Sequence, residues 1–445
     1  MKNEFEDITV PESVEGVKTQ LEYKENGQIQ QSIDNAIKVL ENDPVLRGAI
    51  AHNLFTDRVD VVKTLPWNRT EDQLDDTDIV NMLYYLEKYY GLTSERKIRH
   101  AISVISGRHT YHPICDYLSA LSWDGTERIR NTLQHFLGAD TSDLTYECLK
   151  HFLLGSIRRV FEPGCKFEDM LCLVGDQGVG KSTFLRFLAI KDEWFSDDLR
   201  HLDDENVYRH LQGHWINELS EMIATANARN IEETKSFLSR QKDTYKVPYE
   251  THPKDRKRQC VFAGTSNNAS FLPFDRTGNR RFLPIMTDPA KADTHILSDE
   301  AASRAWIDQL WAEAMVIYRS GNYQKTLPKT IQKELQNLQV DFMPEDSLSG
   351  IIQDYLDRYE GDYVCSALLL DEALGKDPKL AKGYEGREVN DIMNNAISGW
   401  IKCGQHRFHR YGKQRAWERV HKKTGTDAPF EPAPEQAELI FSDNP

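Results

Sequence analysis

Hydrophobic spacing divides the chain into a helical part, a part where strands and helices alternate, and a smaller C-terminal part. In the first part, apolar residues recur at helix spacing in three segments separated by turn residues, 79–86, 97–104 and 114–121. From about residue 161 to residue 319, short apolar runs such as Met170–Val174 alternate with helical runs. Strands that are apolar at every position indicate a parallel sheet covered on both faces, so we predict an α/β core.

Changes in composition along the chain set the expected domain boundaries. We predict a loose acidic segment at 1–42, a helical domain at 43–155, the α/β domain at 156–328, a linker helix at 329–346, a small domain at 347–424 and a disordered acidic tail at 425–445.

Composition narrows the class of protein. The 445 residues are 39% hydrophobic and 28% charged, a balance typical of a globular protein rather than a disordered one. The sequence has neither an apolar run long enough for a membrane span nor an N-terminal signal peptide, and its seven dispersed cysteines form no CxxC pair, so we expect a cytoplasmic protein with reduced thiols. The net charge of −15 argues against coating of nucleic acid by the whole surface, but not against local basic tracks.

A phosphate-binding motif follows the apolar run Met170–Val174. Residues 175–182 read GDQGVGKS and precede a helical run, which is the strand–loop–helix context that GxxxxGK[ST] requires. Loop N–H groups and the helix N-terminus would hold phosphates, with Lys181 reaching the β- and γ-phosphates and Ser182 binding Mg²⁺. We therefore expect ATP and Mg²⁺ as ligands. The nucleotide-binding residues are Gly175, Gly178, Gly180, Lys181, Ser182 and Thr183.

Two further strands carry candidate hydrolysis residues at their ends. The segment HWINELSE, 214–221, places Glu218 at a strand end and Glu221 one turn later. One acid would orient Mg²⁺ through water and the other would polarise the attacking water. The pattern leaves the assignment open; we take both as catalytic, Glu218 also as the metal residue and Glu221 as first choice for the base. After the strand 260–264, Asn267 is the candidate that senses the γ-phosphate, with Asn268 as the alternative.

Arg280 and Arg281 form an adjacent pair just before another apolar strand. Arginines at such a turn are placed to reach the nucleotide of a neighbouring subunit, where an arginine finger stabilises the charge of the transition state. A finger that acts on a neighbour requires an oligomer, most simply a ring.

Two basic tracks stand out in this acidic chain. The first, 235–258, has eight Lys or Arg residues with interleaved tyrosines and includes a predicted hairpin. Lysine contacts with phosphates and tyrosine stacking on bases are typical of single-stranded DNA binding. We assign this role to Tyr245, Lys246, Lys254, Lys257 and Arg258, with Lys246 and Lys254 as the leading contacts.

The second track, 402–423, has eight Lys or Arg residues against the single acid Glu418. It follows a predicted helix at 386–400 and has a predicted turn at 412–414. A helix followed by a basic hairpin indicates a winged-helix-like domain that binds duplex DNA, with the helix in the major groove and the hairpin along the backbone. The contact residues are Arg407, Arg410, Lys413 and Arg415.

Taken together, the motifs resemble those of a known family. GDQGVGKST, HWINELSE, FAGTSN and TGNRRF, all within 175–281, resemble superfamily 3-type helicases of the AAA+ class. With HPICDYLSALSWDGTERI at 112–129, the chain most resembles the virulence-associated protein E family of phages, prophages and chromosomal islands. The resemblance implies an ATPase that assembles as a hexameric ring on DNA in a bacterial host, grips one strand with a pore hairpin, and serves replication of a mobile element.

Two other functions remain open at the level of sequence. An ATP-regulated DNA-binding switch would carry the same motifs and assemble without unwinding DNA. A small-molecule kinase would use the same phosphate-binding loop, but would need an acceptor pocket and a lid. A strand-displacement assay separates the motor from the switch, because both would form rings.

Overall fold

The structure is a computed structural model, and it describes residues 12–199, 207–220, 228–245, 254–272, 279–343 and 347–420. The chain divides into two compact units, 1–344 and 345–445. The predicted tail at 425–445 lies outside the described residues. Among the helices that the structure describes, none carries an apolar run long enough to cross a bilayer.

The N-terminal region, residues 12–111, combines four helices with a small sheet. Its elements are α1 Glu12–Lys18, α2 Ile33–Asn42, β1 Ile50–Asn53, β2 Arg58–Val61, α3 Asp76–Tyr90, α4 Glu95–Arg108 and β3 Thr110–Tyr111. Val14, Val17 and Leu21 are buried in one hydrophobic core with residues of α2, α3 and α4. The prediction of a loose segment at 1–42 is therefore wrong from Val14 onward, because a short apolar face on α1 is enough to dock it on the other helices.

The small sheet of this region was not predicted. β1 pairs antiparallel with β2 and parallel with β3. The first two strands have four residues each and the third has two, so their alternation is too short to be separated from a helical pattern. The expected all-helical domain at 43–155 is thus a mixed one.

The α/β region, residues 113–343, is built on a five-stranded parallel sheet in the order β10-β4-β9-β6-β5. The α/β core is confirmed. Its elements are α5 Pro113–Ala120, α6 Ile129–Leu137, α7 Asp143–Phe161, β4 Met170–Val174, α8 Lys181–Leu188, β5 Phe195–Ser196, α9 Val207–His210, β6 Ile216–Ser220, α10 Ala228–Leu238, β7 Lys242–Tyr245, β8 Lys254–Lys257, β9 Val261–Ser266, β10 Phe282–Met286, α11 Glu300–Ser320 and α12 Lys329–Asp341.

Two predicted boundaries cut through this region. α7 spans the boundary at 155, and its residues share one hydrophobic core with the sheet and with α5 and α6. The expected linker helix is α12, which is no linker, because Ile331 and Leu335 lie in that core and the amide of Gln339 donates to the carbonyls of Asn279 and Phe282. Helices that cover the sheet belong to its folding unit, whatever the local composition.

The C-terminal unit, residues 347–420, consists of α13 Ser347–Arg358, β11 Tyr363–Val364, α14 Ser366–Leu368 continued by a π-helical turn Leu369–Ala373, α15 Gly383–Asn395, β12 Trp400–Phe408 and β13 Gly412–Arg419. The three strands form an antiparallel sheet in the order β11-β13-β12. The hairpin turn is 409–411 rather than 412–414. Gly412 has a φ of +71° and pairs with Phe408, so the glycine closes the turn and begins the second strand.

Candidate functional site

The loop between β4 and α8 places the predicted nucleotide-binding residues around the N-terminus of a helix. Gly178 and Gly180 have φ values of +87° and +94°, which residues with a Cβ rarely adopt. Gly175 is in contact with the chain after β10, where a Cβ would lie 2.2 Å from Thr287 Oγ1. The glycines therefore allow the loop to turn tightly at the carboxyl end of β4, where backbone N–H groups can face an anion.

Lys181 lies at the centre of the loop. Its ammonium group donates to the carbonyl oxygens of Gly175 and Asp176, both at 2.7 Å, and to Asn267 Oδ1 at 3.1 Å. The lysine side chain is buried, so these acceptors replace its water shell. The contact joins Lys181 to the predicted sensor Asn267 across the edge of the sheet, because β9 is the neighbour of β4.

Glu218 and Ser182 meet on the other side of the loop. Ser182 Oγ donates to Glu218 Oε1 at 2.7 Å, and Thr265 Oγ1 donates to the same oxygen. Glu218 is 1% exposed, and its second oxygen, Oε2, is buried with no hydrogen-bond partner in the part of the chain that the structure describes. A buried carboxylate oxygen without a donor beside a serine hydroxyl fits a hydrated Mg²⁺ ion, whose waters supply donors.

These groups line a cleft of about 860 Å³ at the carboxyl edge of the sheet. The cleft also contains residues that the sequence analysis missed, namely Asp197, Asp198, Thr265 and His295. The aspartates follow β5, and because Ser196 pairs with Asn217, Asp197 is level with Glu218. β5 has two residues, which is too short for a hydrophobic pattern that would place the aspartates at the sheet edge. His295 lies beside Gly180, and its Nδ1 accepts a hydrogen bond from the N–H of Leu297. The sequence around His295 matches no motif, so its place in the cleft was not predicted.

Glu221 lies outside the described residues, so its role stays a prediction that substitution can test. We expect Glu221→Gln to trap bound ATP with little turnover, a fall of about 10²–10⁴ in rate if it is the base. We expect Glu218→Gln to raise the Mg²⁺ concentration needed for half-maximal hydrolysis, because the Glu218 carboxylate contacts Ser182, the other residue assigned to Mg²⁺. Single-turnover ATP hydrolysis over a Mg²⁺ titration measures both. Glu300→Gln, at the start of α11, is the control and should hydrolyse ATP normally. If Glu221→Gln also turns over normally, Glu218 rather than Glu221 is the base.

The two arginines differ in their surroundings. Arg281 has 18% of its side chain exposed, and its Nε lies 3.1 Å from Ser239 Oγ and 3.4 Å from Glu168. Arg280 has 69% exposed and reaches Glu168 only at 3.5 Å. Burial acts to raise the pKa of Glu168, but the hydrogen bond from Ser239 and the nearby cations hold that pKa below its usual value. Glu168 therefore stays ionised and holds Arg281, while Arg280 projects into solvent.

Neither arginine is near the cleft. Phe282 pairs with Met170, so the arginines lie at the amino end of β4, and the length of that strand, roughly 16 Å, separates them from the loop at its carboxyl end. The structure brings Lys181, Ser182, Glu218 and Asn267 together but leaves Arg280 and Arg281 at the opposite edge of the sheet.

The match to a family model covers the same stretch of chain. The model of the virulence-associated protein E-like domain matches residues 118–344, which is just over half of the sequence. The chain belongs to the virulence-associated protein E-like family. The boundaries of the match run from α5 to the end of the α/β region, so the VapE-like domain includes both the sheet and the helices that cover it.

Two solved structures share weaker similarity with the chain. One is the A form apo structure of the NrS-1 C-terminal region, residues 305–718 of that protein, with 13% identity and a TM-score of 0.48; the match covers 88% of this chain and all of that one. The other, also an A form apo structure of the NrS-1 C-terminal region, has 13% identity and a TM-score of 0.45 over 83% of this chain and 96% of that one. No curated protein matches the sequence.

The first basic track of the VapE-like domain forms the predicted hairpin in part. β7 and β8 pair antiparallel, with Tyr245 opposite Lys254 and Lys242 opposite Lys257. Lys254 is in a strand rather than in the turn. Lys257 is exposed, as a DNA contact requires. Lys246 and the rest of 246–253 lie outside the described residues, as do the side chains of Tyr245 and Lys254, so their contacts with DNA stay predictions.

Arg258 does not belong to the exposed track. Its guanidinium makes a two-pronged ion pair with Asp243, at 3.0 and 2.7 Å, and donates to the carbonyl of Phe237. The side chain is 1% exposed and lies over the rings of Phe237 and Phe262. The assignment of Arg258 to DNA is therefore wrong. A lysine-rich sequence does not reveal which cation turns inward to pair with an acid on the neighbouring strand.

We expect Arg258→Met to lower the free energy of unfolding of the VapE-like domain by about 3–5 kcal/mol, because it leaves Asp243 buried and unpaired. The salt dependence of DNA binding by the folded protein should not change. Lys257→Met removes an exposed cation of the same hairpin and is the matched variant. We expect it to have normal stability and weaker DNA binding. Urea unfolding and fluorescence anisotropy with labelled DNA measure the two properties. A stable Arg258→Met protein with weak DNA binding would return Arg258 to the DNA surface.

The N-terminal region holds the base of this hairpin. Asp57, in the β1–β2 turn, forms ion pairs with His52 at 3.0 Å and with Arg256 of β8 at 2.6 Å. The amide of Gln259 donates to the carbonyl of Leu54 at 2.9 Å. Asp57 has a φ of +52°, a conformation that its carboxylate contacts stabilise. Arg256 is thus tied to another part of the fold and is not an exposed cation of the hairpin.

The second basic track lies on β12 and β13 of the C-terminal unit. Arg407, Lys413 and Arg415 are exposed, as predicted for DNA contacts. Arg410 is also exposed, but it lies 3.5 Å from Asp371. Of the four predicted contact residues, Arg407, Lys413 and Arg415 have no ion-pair partner among the described residues, and Arg410 is partly neutralised.

Proposed function

We propose that the chain is an ATP-dependent DNA helicase or replication-initiator-like motor of a phage or mobile genetic element. It hydrolyses ATP in a ring oligomer and uses the energy to translocate on DNA or to melt it. Membership of the VapE-like family supports the context of mobile elements. The observation that carries the proposal is the meeting of Lys181, Ser182, Glu218 and Asn267 in one cleft, since this set binds phosphate and metal and orients water.

The residues of the cleft have separate tasks in this proposal. Lys181 exchanges its contacts with the loop carbonyls for the β- and γ-phosphates of ATP. Ser182 and Glu218 hold Mg²⁺, which would neutralise charge on those phosphates. Asn267 already contacts Lys181, so it is placed to respond to the γ-phosphate. Water activation falls to Glu221 or to Glu218.

The exposure of Arg280 and its distance from the cleft of its own subunit support a finger that acts on a neighbour. Such a finger completes the site only in an oligomer, which favours a ring and, by family resemblance, a hexamer. The β7–β8 hairpin would grip single-stranded DNA with Lys246, Lys254 and Lys257. The C-terminal unit has the element order helix, strand, helix, helix and basic hairpin, which fits a winged-helix-like domain that binds duplex DNA.

The steady-state ATPase rate with and without single-stranded DNA tests the proposal, with molar mass followed by light scattering in the same samples. We expect turnover that DNA stimulates, together with a mass several times the 51.4 kDa of one chain. A monomer whose turnover ignores DNA would contradict the motor. A DNA-bound oligomer that hydrolyses ATP but displaces no strand would favour the ATP-regulated switch.

A further inference from the structure

In the C-terminal unit, the hairpin and the helix before it carry opposite charge. α15 contains Glu385, Glu388 and Asp391 but only one basic residue, Arg387. The hairpin from Trp400 to Arg419 contains six Lys or Arg residues and one acid. Glu385 is paired with Lys376 at 2.6 Å, whereas Glu388 is exposed and Asp391 is half-buried. A helix that enters the major groove lies between two rows of phosphates, and α15 offers them no net positive charge.

The amide side chains of α15 that could read base edges are occupied within the unit. Asn394 accepts the indole N–H of Trp417 at 3.0 Å, and Asn395 donates to Asp391 at 2.8 Å. Asn390 accepts from Ser366 and donates to the carbonyl of Gly386. Direct reading of adenine needs such an amide to be available to the base. The helix therefore has no net positive charge, and each of its three asparagines has at least one amide atom engaged, which hinders a two-point contact with adenine.

One face of the hairpin has the opposite character. Arg407 pairs directly with Lys413, and Gln405 with Arg415, so these four exposed side chains share a face. In the described residues, Arg407, Lys413 and Arg415 form no ion pair or side-chain hydrogen bond. Like charges directly opposite each other destabilise a hairpin. An uncompensated Arg407–Lys413 pair is explained if a polyanion binds there.

The other face and the turn hold the hairpin in place. His406 stacks on Tyr363 with ring centroids 4.2 Å apart, and Phe408 packs against the core of the unit. The hydroxyl of Tyr411 donates to Asp371 at 2.7 Å and contacts Glu372 at 3.0 Å. The cationic face is therefore presented on a fixed support, which reduces the entropy cost of binding.

We propose that the C-terminal unit binds duplex DNA through the face Gln405, Arg407, Lys413 and Arg415 of its hairpin, which contacts the phosphate backbone, while α15 stays out of the major groove. This rests on the proposed function and replaces the expected helix-led contact by a hairpin-led one. Backbone contacts carry no base information, so the unit holds duplexes of any sequence.

Anisotropy titrations of labelled duplexes with the full chain test this arrangement. We expect Arg407→Glu to weaken binding roughly tenfold at physiological salt and to lower the slope of log affinity against log salt by about one to two. The loss should be equal for two unrelated duplex sequences. Lys379→Glu makes the same charge change on an exposed loop of the unit and should have little effect, as should Arg387→Ala in α15.

Thermal unfolding of the same variant separates binding from structure. Arg407→Glu places opposite charges across the strands, so the melting temperature should stay equal or rise while DNA affinity falls. If Arg407 only stabilised the fold, the substitution would lower the melting temperature and leave the DNA affinity of the folded protein unchanged.

Three results would overturn the proposal: loss of binding in Arg387→Ala but not in Arg407→Glu, a loss that depends on duplex sequence, or a loss confined to single-stranded DNA. If the unaltered chain neither hydrolyses ATP nor binds DNA, the proposed function itself fails, which is a different outcome.

Discussion

Lys181→Ala should reduce ATP hydrolysis by at least about 10²–10³, because it removes the cation that would stabilise the charge of the phosphates in the transition state. The ammonium group contacts two loop carbonyls and Asn267, so it lies at the loop before nucleotide arrives and would exchange the carbonyl contacts for phosphate oxygens. Steady-state phosphate release measures the loss.

Lys325→Ala is the matched control, since this lysine is exposed and remote from the cleft along the chain. Circular dichroism should show that Lys181→Ala remains folded. Equilibrium binding of a fluorescent ATP analogue should show weakened affinity. A folded Lys181→Ala protein that hydrolyses ATP at the normal rate would refute the nucleotide-site assignment, because no other residue of the loop can supply this charge.

Arg280→Ala should abolish hydrolysis while nucleotide still binds, with a fall of about 10³–10⁵ in rate if Arg280 is the finger. The side chain is exposed, and the one ion pair it forms with the described part of the chain, with Glu168 at 3.5 Å, is long. An exposed pair of this kind adds little stability, so the variant should fold normally. Arg281→Ala should instead lower stability, because it frees Glu168 and Ser239.

Mixing two inactive variants tests whether Arg280 acts on a neighbouring subunit. Lys181→Ala subunits retain Arg280, and Arg280→Ala subunits retain Lys181, so a mixed oligomer contains complete sites at some interfaces. We expect ATP hydrolysis to recover in part, measured against the two variants alone. A normal rate for Arg280→Ala would remove it from the mechanism, and failure to recover in oligomers of confirmed mixed composition would argue against action on a neighbour.

The cleft at the carboxyl edge of the sheet was the part most open to prediction from sequence. The loop 175–182 is contiguous, and its glycines, Lys181 and Ser182 are all needed at fixed spacing, so the motif carries its own geometry. Glu218 and Asn267 were found because parallel strands end at one edge of a sheet. Asp197 and His295 were not predicted, because the segments that bring them to the cleft match no motif.

The basic tracks show the limit of reading charge along a chain. The sequence places eight cations in 235–258, but only the fold shows that Arg258 is paired with Asp243 inside the core and that Arg256 is tied to Asp57. In the second track, pairing across the hairpin puts Arg407 opposite Lys413. The sequence shows which residues carry a charge, whereas strand pairing and burial determine which partner each charge contacts.

The sequence by itself determined the α/β core, the glycine-rich strand–loop–helix at 170–188 and the family, because each depends on spacing over a few residues or on a motif. Only the tertiary structure decided that α7 and α12 cover the sheet, that residues from Val14 onward are packed, and that Arg280 is exposed while Arg281 is held by Glu168. These outcomes depend on contacts between residues far apart in the chain, and the free energy of such contacts leaves no periodic trace in the sequence.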